Sequence, residues 1–421
     1  MVNGSHLQWA GIDWGDKAHA LTVVDAQGNV VARRRIEHSA EGLDLLVAIL
    51  AERGPIAGVA IEKTQHLVID KLLEAAHTVY PVNPKVGKSW RECLGVDPAK
   101  NDPADGDLLA KGLRLFHDTL RPLRPDDPKT RELRLLSRAE SGFIADRTAL
   151  ANRLKDCLKQ YYPQALGWFS DFTTLTAADF VIAFPTPEAL RRATDAKLIK
   201  FLAAHCIGLG PRWKQRLASR ASGARWPSDD ATVAARSVQA VALAKQLRTL
   251  ARILTDYRQR IEALYGEHED AAIFSSLPGA GPKLAPRLLT HFGTDRTRYS
   301  DAGAVAALSG SVPVTKESGG SGGARFRWAC QKGFRNTLFL FAFTSLRSSL
   351  WARAFYDRAR ARGKTHPQAL RMLGAKWLKI IYRMWVDRRP YDERLYMASL
   401  IRHQSPLIAW MQGAQNPGRK P

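Results

Sequence analysis

The sequence has few cysteines and no long apolar stretch. Its 421 residues include four cysteines and no Cys-x-x-Cys pair, so neither a disulfide framework nor a zinc site is indicated. No apolar run approaches the roughly 18 residues that a membrane-spanning helix needs, and no signal peptide is visible. These absences predict a soluble, cytoplasmic protein without a membrane partner.

Acidic residues are scarce after the first part of the chain. The sequence has 40 Asp and Glu against 63 Lys and Arg, a formal net charge of +23. Residues 1–110 carry 15 acidic and 11 basic side chains, whereas the remaining 311 residues carry 25 acidic and 52 basic ones. A basic excess of this size indicates a polyanionic partner, with nucleic acid as the natural candidate. The alternative is a generally basic surface in which no region is specialised for binding a polyanion.

The N-terminal pattern predicts a mixed sheet. Residues 7–36 read as three short strands with a Gly-Asn hairpin turn. An amphipathic helix over 40–53, an apolar strand ending at Glu62, a helix at about 66–76, and a further strand and helix follow. Three antiparallel strands, then a helix and a parallel strand reached by a crossover, is the order of the ribonuclease H-like fold. We expect such an α/β domain over residues 1–125.

The middle of the chain, residues 126–275, predicts long helices. Apolar positions recur every three or four residues over 129–162 and again over 231–270. Two such helices can pair as a coiled coil, which we expect to mediate dimerisation. The mixed segment between them, 163–230, predicts an inserted helical subdomain.

The C-terminal third predicts an all-α domain over residues 276–400. Helices are expected over 334–356 and 366–386, with most of their Trp residues in the core. The remaining residues, 401–421, are expected to form a tail.

The run that opens this third, residues 277–293, predicts a helix-hairpin-helix-like element. It reads as a helix, a Gly-x-Gly turn and a second helix. The backbone N–H groups of such a turn, at Gly279 and Gly281, lie at a helix N-terminus and can hold a DNA phosphate. An ordinary turn between two helices is the alternative.

Carboxylates interrupt the otherwise apolar strands of the predicted sheet. Asp13 ends the first strand and Glu62 the fourth, positions where an unpaired charge costs several kcal/mol. Asp102 and Asp105 are three residues apart at a predicted helix start, so they share one helix face. Mg²⁺ prefers oxygen ligands, and two such ions can clamp both oxygens of a phosphodiester exchange. The four carboxylates therefore predict a Mg²⁺ site, with Mn²⁺ as an alternative; the neighbouring Asp107 reads as a helix-cap or solvated residue.

These motifs resemble those of the DEDD, RuvC-like transposases of a bridge-RNA-guided insertion-sequence family, relatives of Piv-type invertases. The N-terminal matches are "GIDWGDKAH", "VAIEKT" and the Lys-x-Asp-x-x-Asp element at 100–105. The C-terminal matches are "LPGAGP", "LSGSVPVTKESGG" and "CQKGFRNTL". Phe334 stands where Asn is usual in the last of these motifs, and the 163–230 region makes this chain longer than compact members.

The resemblance implies a serine nucleophile that joins covalently to DNA as a phosphoserine. The match places this role on Ser318, with Ser321 of the same Gly-rich segment as the main rival. Ser309 and Ser311 flank an apolar stretch and are weaker candidates. A plain flexible Gly/Ser linker is the alternative that the residues alone suggest.

The resemblance also implies the partners: target and donor double-stranded DNA, a structured non-coding guide RNA, and a second copy of the chain in a homodimer or a synaptic tetramer. Such an enzyme would be associated with the nucleoid. The residues expected to contact nucleic acid are Lys100, Gly279, Gly281, Lys283, Lys316, Arg325, Arg327, Lys332 and Arg335. The arginines of the long helices expected to contact RNA phosphates are Arg131, Arg134, Arg138, Arg248, Arg252, Arg258 and Arg260.

Two other function classes remain open from the sequence. One is a metal-dependent, RuvC-like junction nuclease that forms no covalent intermediate, for which the carboxylates would suffice. The other is a non-catalytic RNA- or DNA-binding protein in which the acidic residues are structural. A protein–DNA adduct would exclude the first, and metal-dependent cleavage would exclude the second.

Overall fold

The chain divides into two compact units, Met1–Pro125 and Asp126–Pro421. The computed structural model of the chain describes residues 7–94, 102–220, 228–318 and 321–414. Within these ranges, no helix is long and apolar enough to cross a membrane.

The first unit is built on a five-stranded sheet. Its strands are β1 (Gln8–Asp13), β2 (Ala18–Val24), β3 (Val30–Glu37), β4 (Ile56–Ile61) and β5 (Val79–Pro81). They lie in the order β3-β2-β1-β4-β5; β1 and β3 run antiparallel to β2, while β4 is parallel to β1 and β5 is parallel to β4. This mixed order is that of the ribonuclease H-like fold, so the fold expected from the sequence is confirmed.

Helices cover both faces of this sheet because successive strand residues point to opposite sides. The helices are α1 (Ala40–Glu52), α2 (Leu67–Glu74), α3 (Pro84–Cys93) and α4 (Asp102–Phe116). Ala10 and Ile12 of β1 belong to one buried cluster with Leu46 of α1 and Leu72 of α2. The other face packs against α3 and α4.

Glycines bring α4 directly onto the sheet. A Cβ added at Gly11 of β1 would lie 2.3 Å from the backbone N of Ala110 and 2.3 Å from the backbone O of Gly106. A Cβ at Gly106 would in turn lie 3.0 Å from the hydroxyl of Thr22 in β2. The absence of side chains at these positions fixes the height and register of α4 over β1.

Two long helices organise the second unit. They are α5 (Pro128–Tyr161) and α11 (Asp230–Gly266), and they pack along each other within one chain. Each is capped by an aspartate whose side chain accepts a hydrogen bond from the backbone N–H three residues later: Asp127 from Thr130, and Asp229 from Thr232. The predicted long helices are therefore present.

The region between the long helices is helical, as expected. Its helices are α6 (Pro163–Trp168), α7 (Leu175–Ala183), α8 (Pro187–Arg192), α9 (Asp195–Ala204) and α10 (Pro211–Ser219). Aromatic side chains, among them Trp168, Phe180 and Phe184, form a buried cluster with Leu154 of α5 and Leu243 of α11. This insertion therefore shares its core with one end of the helix pair.

The C-terminal region is mostly helical around a second core. Its helices are α12 (Ala271–Ser275), α13 (Gly281–Phe292), α14 (Ala302–Ser309), α15 (Lys332–Ser345), α16 (Leu350–Ala361), α17 (His366–Asp387), α18 (Glu393–Arg402) and α19 (Pro406–Ala414). An antiparallel ribbon of β6 (Val314–Ser318) and β7 (Ser321–Arg325) lies between α14 and α15. Trp351, Trp377 and Trp385 are fully buried, as the sequence predicts for most of its Trp residues.

Two segments differ from the expectation. The predicted single helix over 334–356 is broken into α15 and α16, and the hydroxyl of Ser349 at the break donates a hydrogen bond to Glu393. Residues 401–414, expected to belong to a tail, include α19, whose Leu407 is buried against α16 and its neighbours. The short apolar run of α19 was too brief to signal a packed helix.

Candidate functional site

Two of the predicted carboxylates lie at the ends of adjacent parallel strands. Ile12 of β1 pairs in register with Ile61 of β4, so Asp13 and Glu62 are the next residues of neighbouring strands. Asp13 is partly buried and Glu62 is exposed. Carboxyl ends of parallel strands are where α/β sheets commonly place functional side chains.

Helix α4 brings Asp105 to the same edge of the sheet. A Cβ added at Gly106 would lie 3.2 Å from the backbone O of Ala20, and Ala20 is opposite Asp13 in the antiparallel β1–β2 pair. The first turn of α4 therefore begins beside the end of β1. This turn carries Asp105, and Asp102 is its first residue. The side chain of Asp102 lies outside the described part of the structure.

Helix α3 faces two of these carboxylates. Arg91 donates a hydrogen bond to the carboxylate of Asp105 in an ion pair that is largely buried on both sides. A Cβ added at Gly87, one turn earlier, would lie 2.9 Å from Oε1 of Glu62. Arg91 could not be predicted from the sequence, because nothing in its local pattern distinguishes it from the other arginines.

The chemistry of the four carboxylates fits a divalent cation, since such ions take several oxygen ligands. Among the described side chains, however, no three Asp, Glu, His or Cys residues are close enough to hold a metal ion. Arg91 supplies the positive charge beside Asp105. A complete metal site would therefore need Asp102 and a carboxylate released from Arg91.

Asp107 has a structural role. Its carboxylate accepts hydrogen bonds from Thr22 at 2.9 Å and from Arg33, whose Nη2 lies 2.5 Å away. Burial raises the pKa of Asp107, but the hydrogen bonds from Arg33 and Thr22 outweigh it and hold the pKa below its ordinary value. Asp107 therefore ties α4 to β2 and β3, which agrees with excluding it from the metal site.

A histidine cluster beside the carboxylate edge escaped the sequence analysis. Nε2 of His19 lies 3.0 Å from Nδ1 of His38, and the indole of Trp14 donates a hydrogen bond to Nδ1 of His66 at 3.2 Å. Burial, then the neighbouring His38 and His66, lowers the pKa of His19 to about 4. The three histidines come from distant parts of the sequence, so no local signal could have grouped them.

The predicted serine segment is a β-ribbon. Ser318 ends β6 and is paired in register with Ser321, which begins β7. The expectation of a flexible loop over the whole segment is therefore wrong, because Val314 to Ser318 and Ser321 to Arg325 form a ladder. The side chains of Lys316, Ser318 and Ser321 lie outside the described part of the structure.

Two helices joined by a turn are present as α12 and α13. The prediction that residues 277–293 begin with a helix is wrong, because α12 ends at Ser275 and residues 276–280 form the turn. Gly279 and Gly281 have positive φ angles of 83° and 54°, which favour glycine. A Cβ at Gly279 would lie 2.8 Å from the backbone C of Thr344, so this glycine is required for packing against α15. Gly281 begins α13 and has open space around its Cβ position, and Lys283 is exposed one turn into the helix.

Four of the remaining predicted nucleic-acid residues follow the second ribbon strand along the chain or end it: Arg325, Arg327, Lys332 and Arg335. Arg325 and Lys332 are exposed, while Nε of Arg327 donates a hydrogen bond to the backbone O of Val312 at 3.3 Å. Arg335 donates a hydrogen bond to the backbone O of Arg327. Lys100 lies outside the described residues. Their contacts with nucleic acid stay predictions.

Many arginines of the long helices have partners within the chain. Arg134 pairs with Asp126, Arg248 with Asp179, Arg258 with Glu140 and Arg260 with Glu132. These ion pairs lock α5 and α11 to their neighbours. They reduce the number of helix arginines that remain available for an RNA phosphate.

Buried Phe334 explains the departure from the family pattern. Its ring stacks on that of His291 at 4.4 Å between centroids and 13° between planes. Burial, then the nearby Arg134 and Arg138 with a neighbouring arginine of α13, lowers the pKa of His291 to about 3. An aromatic residue here fills a core position that the shorter Asn side chain would not fill.

The first unit has the fold of a ribonuclease H-like domain, with Asp13 and Glu62 at the ends of two adjacent strands. A transposase model for IS110 elements matches residues 10–163, and a model described as "Transposase IS116/IS110/IS902 family" matches residues 271–357. The chain belongs to this family of transposases.

Individual relatives agree with this assignment. The mini-circle putative transposase for IS117 of Streptomyces coelicolor is 31% identical over 412 residues, covering 95% of this chain and 99% of that protein. The 42 kDa protein of insertion element IS900 of Mycobacterium paratuberculosis is 29% identical, covering 91% of this chain and 96% of that protein. The pilin gene-inverting protein of Moraxella bovis is 30% identical over 129 residues, covering 30% of this chain and 40% of that protein.

Among solved structures, RuvC of T. thermophilus in complex with a Holliday junction substrate matches with 21% sequence identity and a TM-score of 0.22. The match covers 28% of this chain and all of that one. Enzymes of the DEDD transposase type act with divalent metal ions.

Proposed function

We propose that this transposase exchanges DNA strands through a covalent phosphoserine intermediate, using Mg²⁺ held by Asp13, Glu62, Asp102 and Asp105. The observation that supports the carboxylate site is the arrangement of β1, β4 and α4, which brings three of these residues to one edge of the sheet. Mn²⁺ would substitute because it accepts the same oxygen ligands.

The proposed reaction uses Ser318 as the nucleophile. Its hydroxyl oxygen bonds to a DNA phosphorus and loses its proton to water, while the bond from phosphorus to one deoxyribose oxygen breaks and that oxygen takes up a proton. A hydroxyl at the end of a second strand then attacks the phosphoserine, which reseals DNA and restores Ser318. The bound cations would stabilise charge on the phosphate oxygens. Arg325, which pairs with Val314 at the opposite end of the ribbon from Ser318, and Arg327 would bind DNA phosphates further from the reacting one.

The release of Asp105 from Arg91 is part of the proposal. Because a divalent cation carries more charge than a guanidinium, it would displace Arg91 from the carboxylate as the site assembles. Arg91 would then be available to a DNA phosphate. Before that step, the ion pair with Arg91 neutralises the charge of the Asp105 carboxylate.

The partners in the proposal are target and donor DNA, a structured guide RNA and at least one further copy of the chain. The basic excess after residue 110 supports a polyanionic partner. The family resemblance supports the RNA and the oligomer. In the described structure α5 pairs with α11 of its own chain, so a dimer would use other faces of these helices or other elements.

The carboxylates test the catalytic assignment. We expect Asp13→Asn, Glu62→Gln, Asp102→Asn and Asp105→Asn each to abolish recombination in Mg²⁺, because a two-ion site loses its geometry when one anionic ligand becomes neutral. DNA binding, measured by a gel-shift assay, should persist. Asp107→Asn is the matched control, and it should lower the melting temperature while keeping activity at a permissive temperature. Recombination at the wild-type rate by Asp13→Asn would refute the site.

A further inference from the structure

Two arginines and two aromatic residues meet at the base of the β-ribbon. Phe326 directly follows β7, and the guanidinium carbons of Arg335 and Arg371 lie 4.4 Å and 5.1 Å from its ring centroid. The ring of Trp328 meets Phe326 edge-on, with 4.8 Å between centroids and 73° between planes. These four side chains, from the ribbon's end, α15 and α17, form what we call the Phe326 cluster.

The positive charge of the Phe326 cluster is not neutralised within the described part of the chain. Neither Arg335 nor Arg371 forms an ion pair there, and the buried Nε of Arg335 has no hydrogen-bond partner. Burial, then the neighbouring Arg335, lowers the pKa of the Arg371 guanidinium. Two like charges held together in partly buried positions favour the binding of an anion.

A cavity of about 170 Å³ opens beside these arginines. Its lining combines apolar side chains with a few polar groups, a composition typical of small-ligand sites. The lining residues are Ser309, Ser311, Phe326, Arg335, Asn336, Leu338, Phe339, Leu370, Arg371 and Gly374. Gly310, between the two serines, has a φ angle of 67°, and a Cβ there would lie 2.6 Å from Nη2 of Arg335. The absence of a side chain at Gly310 therefore leaves room for the guanidinium of Arg335 at the cavity wall.

The fold leaves the ring of Trp328 in solvent. Its side chain is 78% exposed, whereas Trp351, Trp377 and Trp385 of the same unit are fully buried. Exposed aromatic side chains beside arginines are the usual platform for unpaired bases. The position is three residues past β7, close along the chain to Ser318.

We propose that Trp328, Arg335 and Arg371 bind one unpaired nucleotide of a DNA strand, with its base stacked on Trp328 and its flanking phosphates on the two guanidinium groups. An unpaired nucleotide fits this site because its base can stack on a flat apolar surface and its flanking phosphates can pair with two unneutralised cations. Its role in the reaction rests on the proposed function, because Ser318 lies at the other end of the same ribbon and a strand opened at the base could run along it toward the nucleophile. The binding itself does not depend on the chemistry of Ser318.

The test uses the full chain carrying Ser318→Ala, in EDTA, so that no cleavage occurs. The probe is a single-stranded oligodeoxynucleotide containing 2-aminopurine, whose fluorescence is quenched by stacking. We expect Trp328→Ala to remove the quenching and weaken binding about tenfold, the effect of losing one base–aromatic stack. Trp328→Phe should restore part of the affinity. The matched control is Leu350→Ala, which removes an equally exposed apolar side chain of α16.

A second set of variants, at arginines, distinguishes the contribution of charge to binding from that of base stacking. Arg371→Gln should weaken binding and reduce the slope of log affinity against log salt by about 0.7, the value for one phosphate contact on a single strand. Trp328→Ala should leave that slope unchanged. The control is Arg402→Gln, an exposed arginine of α18, which should alter neither quantity. Circular dichroism melts check that each variant is folded.

Each outcome decides the assignment. If Trp328→Ala and Arg371→Gln bind like their controls, the nucleotide site is refuted, whatever the fate of the serine. If an RNA strand of the same sequence binds more tightly and with the same dependence on Trp328, the DNA assignment is overturned in favour of the guide. If the site binds as expected but no protein–DNA adduct forms with Ser318 present, the proposed function fails and the nucleotide site stands.

Discussion

Among single residues, Arg91 and Trp328 show what the sequence does not reveal. The carboxylates Asp13 and Glu62 could be predicted because each ends a buried-type strand, where a charge stands out. Arg91 becomes meaningful only when α3 is folded against α4 and its guanidinium meets Asp105. The exposure of Trp328 follows from tertiary packing that buries other tryptophans, so composition alone could not separate it from them.

His291 gives a prediction for pH dependence. Its pKa of about 3 lies below the ordinary value of 6.5, so the folded chain keeps the imidazole neutral while the unfolded chain takes up a proton. Stability from this group is complete above pH 6.5 and is lost progressively as the pH falls toward about 3. We expect His291→Phe, which keeps the stack on Phe334, to lessen the fall in melting temperature between about pH 7 and about pH 5.

The control for this measurement is His403→Gln at the exposed end of α18, which should leave the pH dependence of melting unchanged. Melting curves that fall equally steeply for wild type and His291→Phe would show that other groups, such as His19 of the first unit, dominate the acid response.

Among the elements, those with a regular apolar periodicity could be predicted from the sequence, whereas short or interrupted segments could not. The strands of the first unit and the helices α5 and α11 have sustained apolar patterns, and the structure contains them. The break between α15 and α16 lies in a segment whose apolar pattern continues across it. The ribbon β6–β7 is rich in Gly and Ser, which have a low strand propensity, so the sequence did not predict its two strands. Tertiary context stabilises their antiparallel ladder.

Helix α3 offers a test of how the carboxylate edge is positioned. A Cβ added at Gly87 would press on Oε1 of Glu62, so Gly87→Ala should shift that carboxylate and lower recombination activity while the chain stays folded. Gly142→Ala is the matched control, because its Cβ would meet nothing within 4 Å in α5. It should raise stability by about 0.5–1 kcal/mol and leave activity unchanged. Equal activity of the two variants would contradict a positioning role for the close approach of α3.

At the scale of the whole molecule, the uneven charge is the feature most directly visible in the sequence. The carboxylate edge lies in the unit with an acidic excess over residues 1–110, and the basic excess lies in the rest. The structure qualifies the simple conclusion that all these cations face nucleic acid, since several arginines of α5 and α11 are paired with carboxylates. The pairs between α5 and α11, Arg258 with Glu140 and Arg260 with Glu132, could not be predicted from the sequence because their partners are more than a hundred residues apart.

The charge leads to a prediction about RNA. We expect protein purified from its native host to carry a discrete structured RNA, and protein freed of RNA to bind DNA without sequence preference. Affinity should fall steeply with salt, since each phosphate contact contributes about −0.9 to the slope for duplex DNA. Nuclease treatment followed by sequencing of the protected RNA is the measurement. Sequence-specific recombination by rigorously RNA-free protein would exclude a guide.

The central claim is that the chain joins covalently to DNA through Ser318, and mass spectrometry of a trapped adduct tests it most directly. Wild-type protein is incubated with substrate DNA and Mg²⁺, denatured, and digested with nuclease and protease. We expect a nucleotide on the peptide containing Ser318, its loss in Ser318→Ala and in Asp13→Asn, and its retention on Ser318 in Ser321→Ala. A nucleotide on Ser321, or metal-dependent strand exchange without any adduct, would contradict the account.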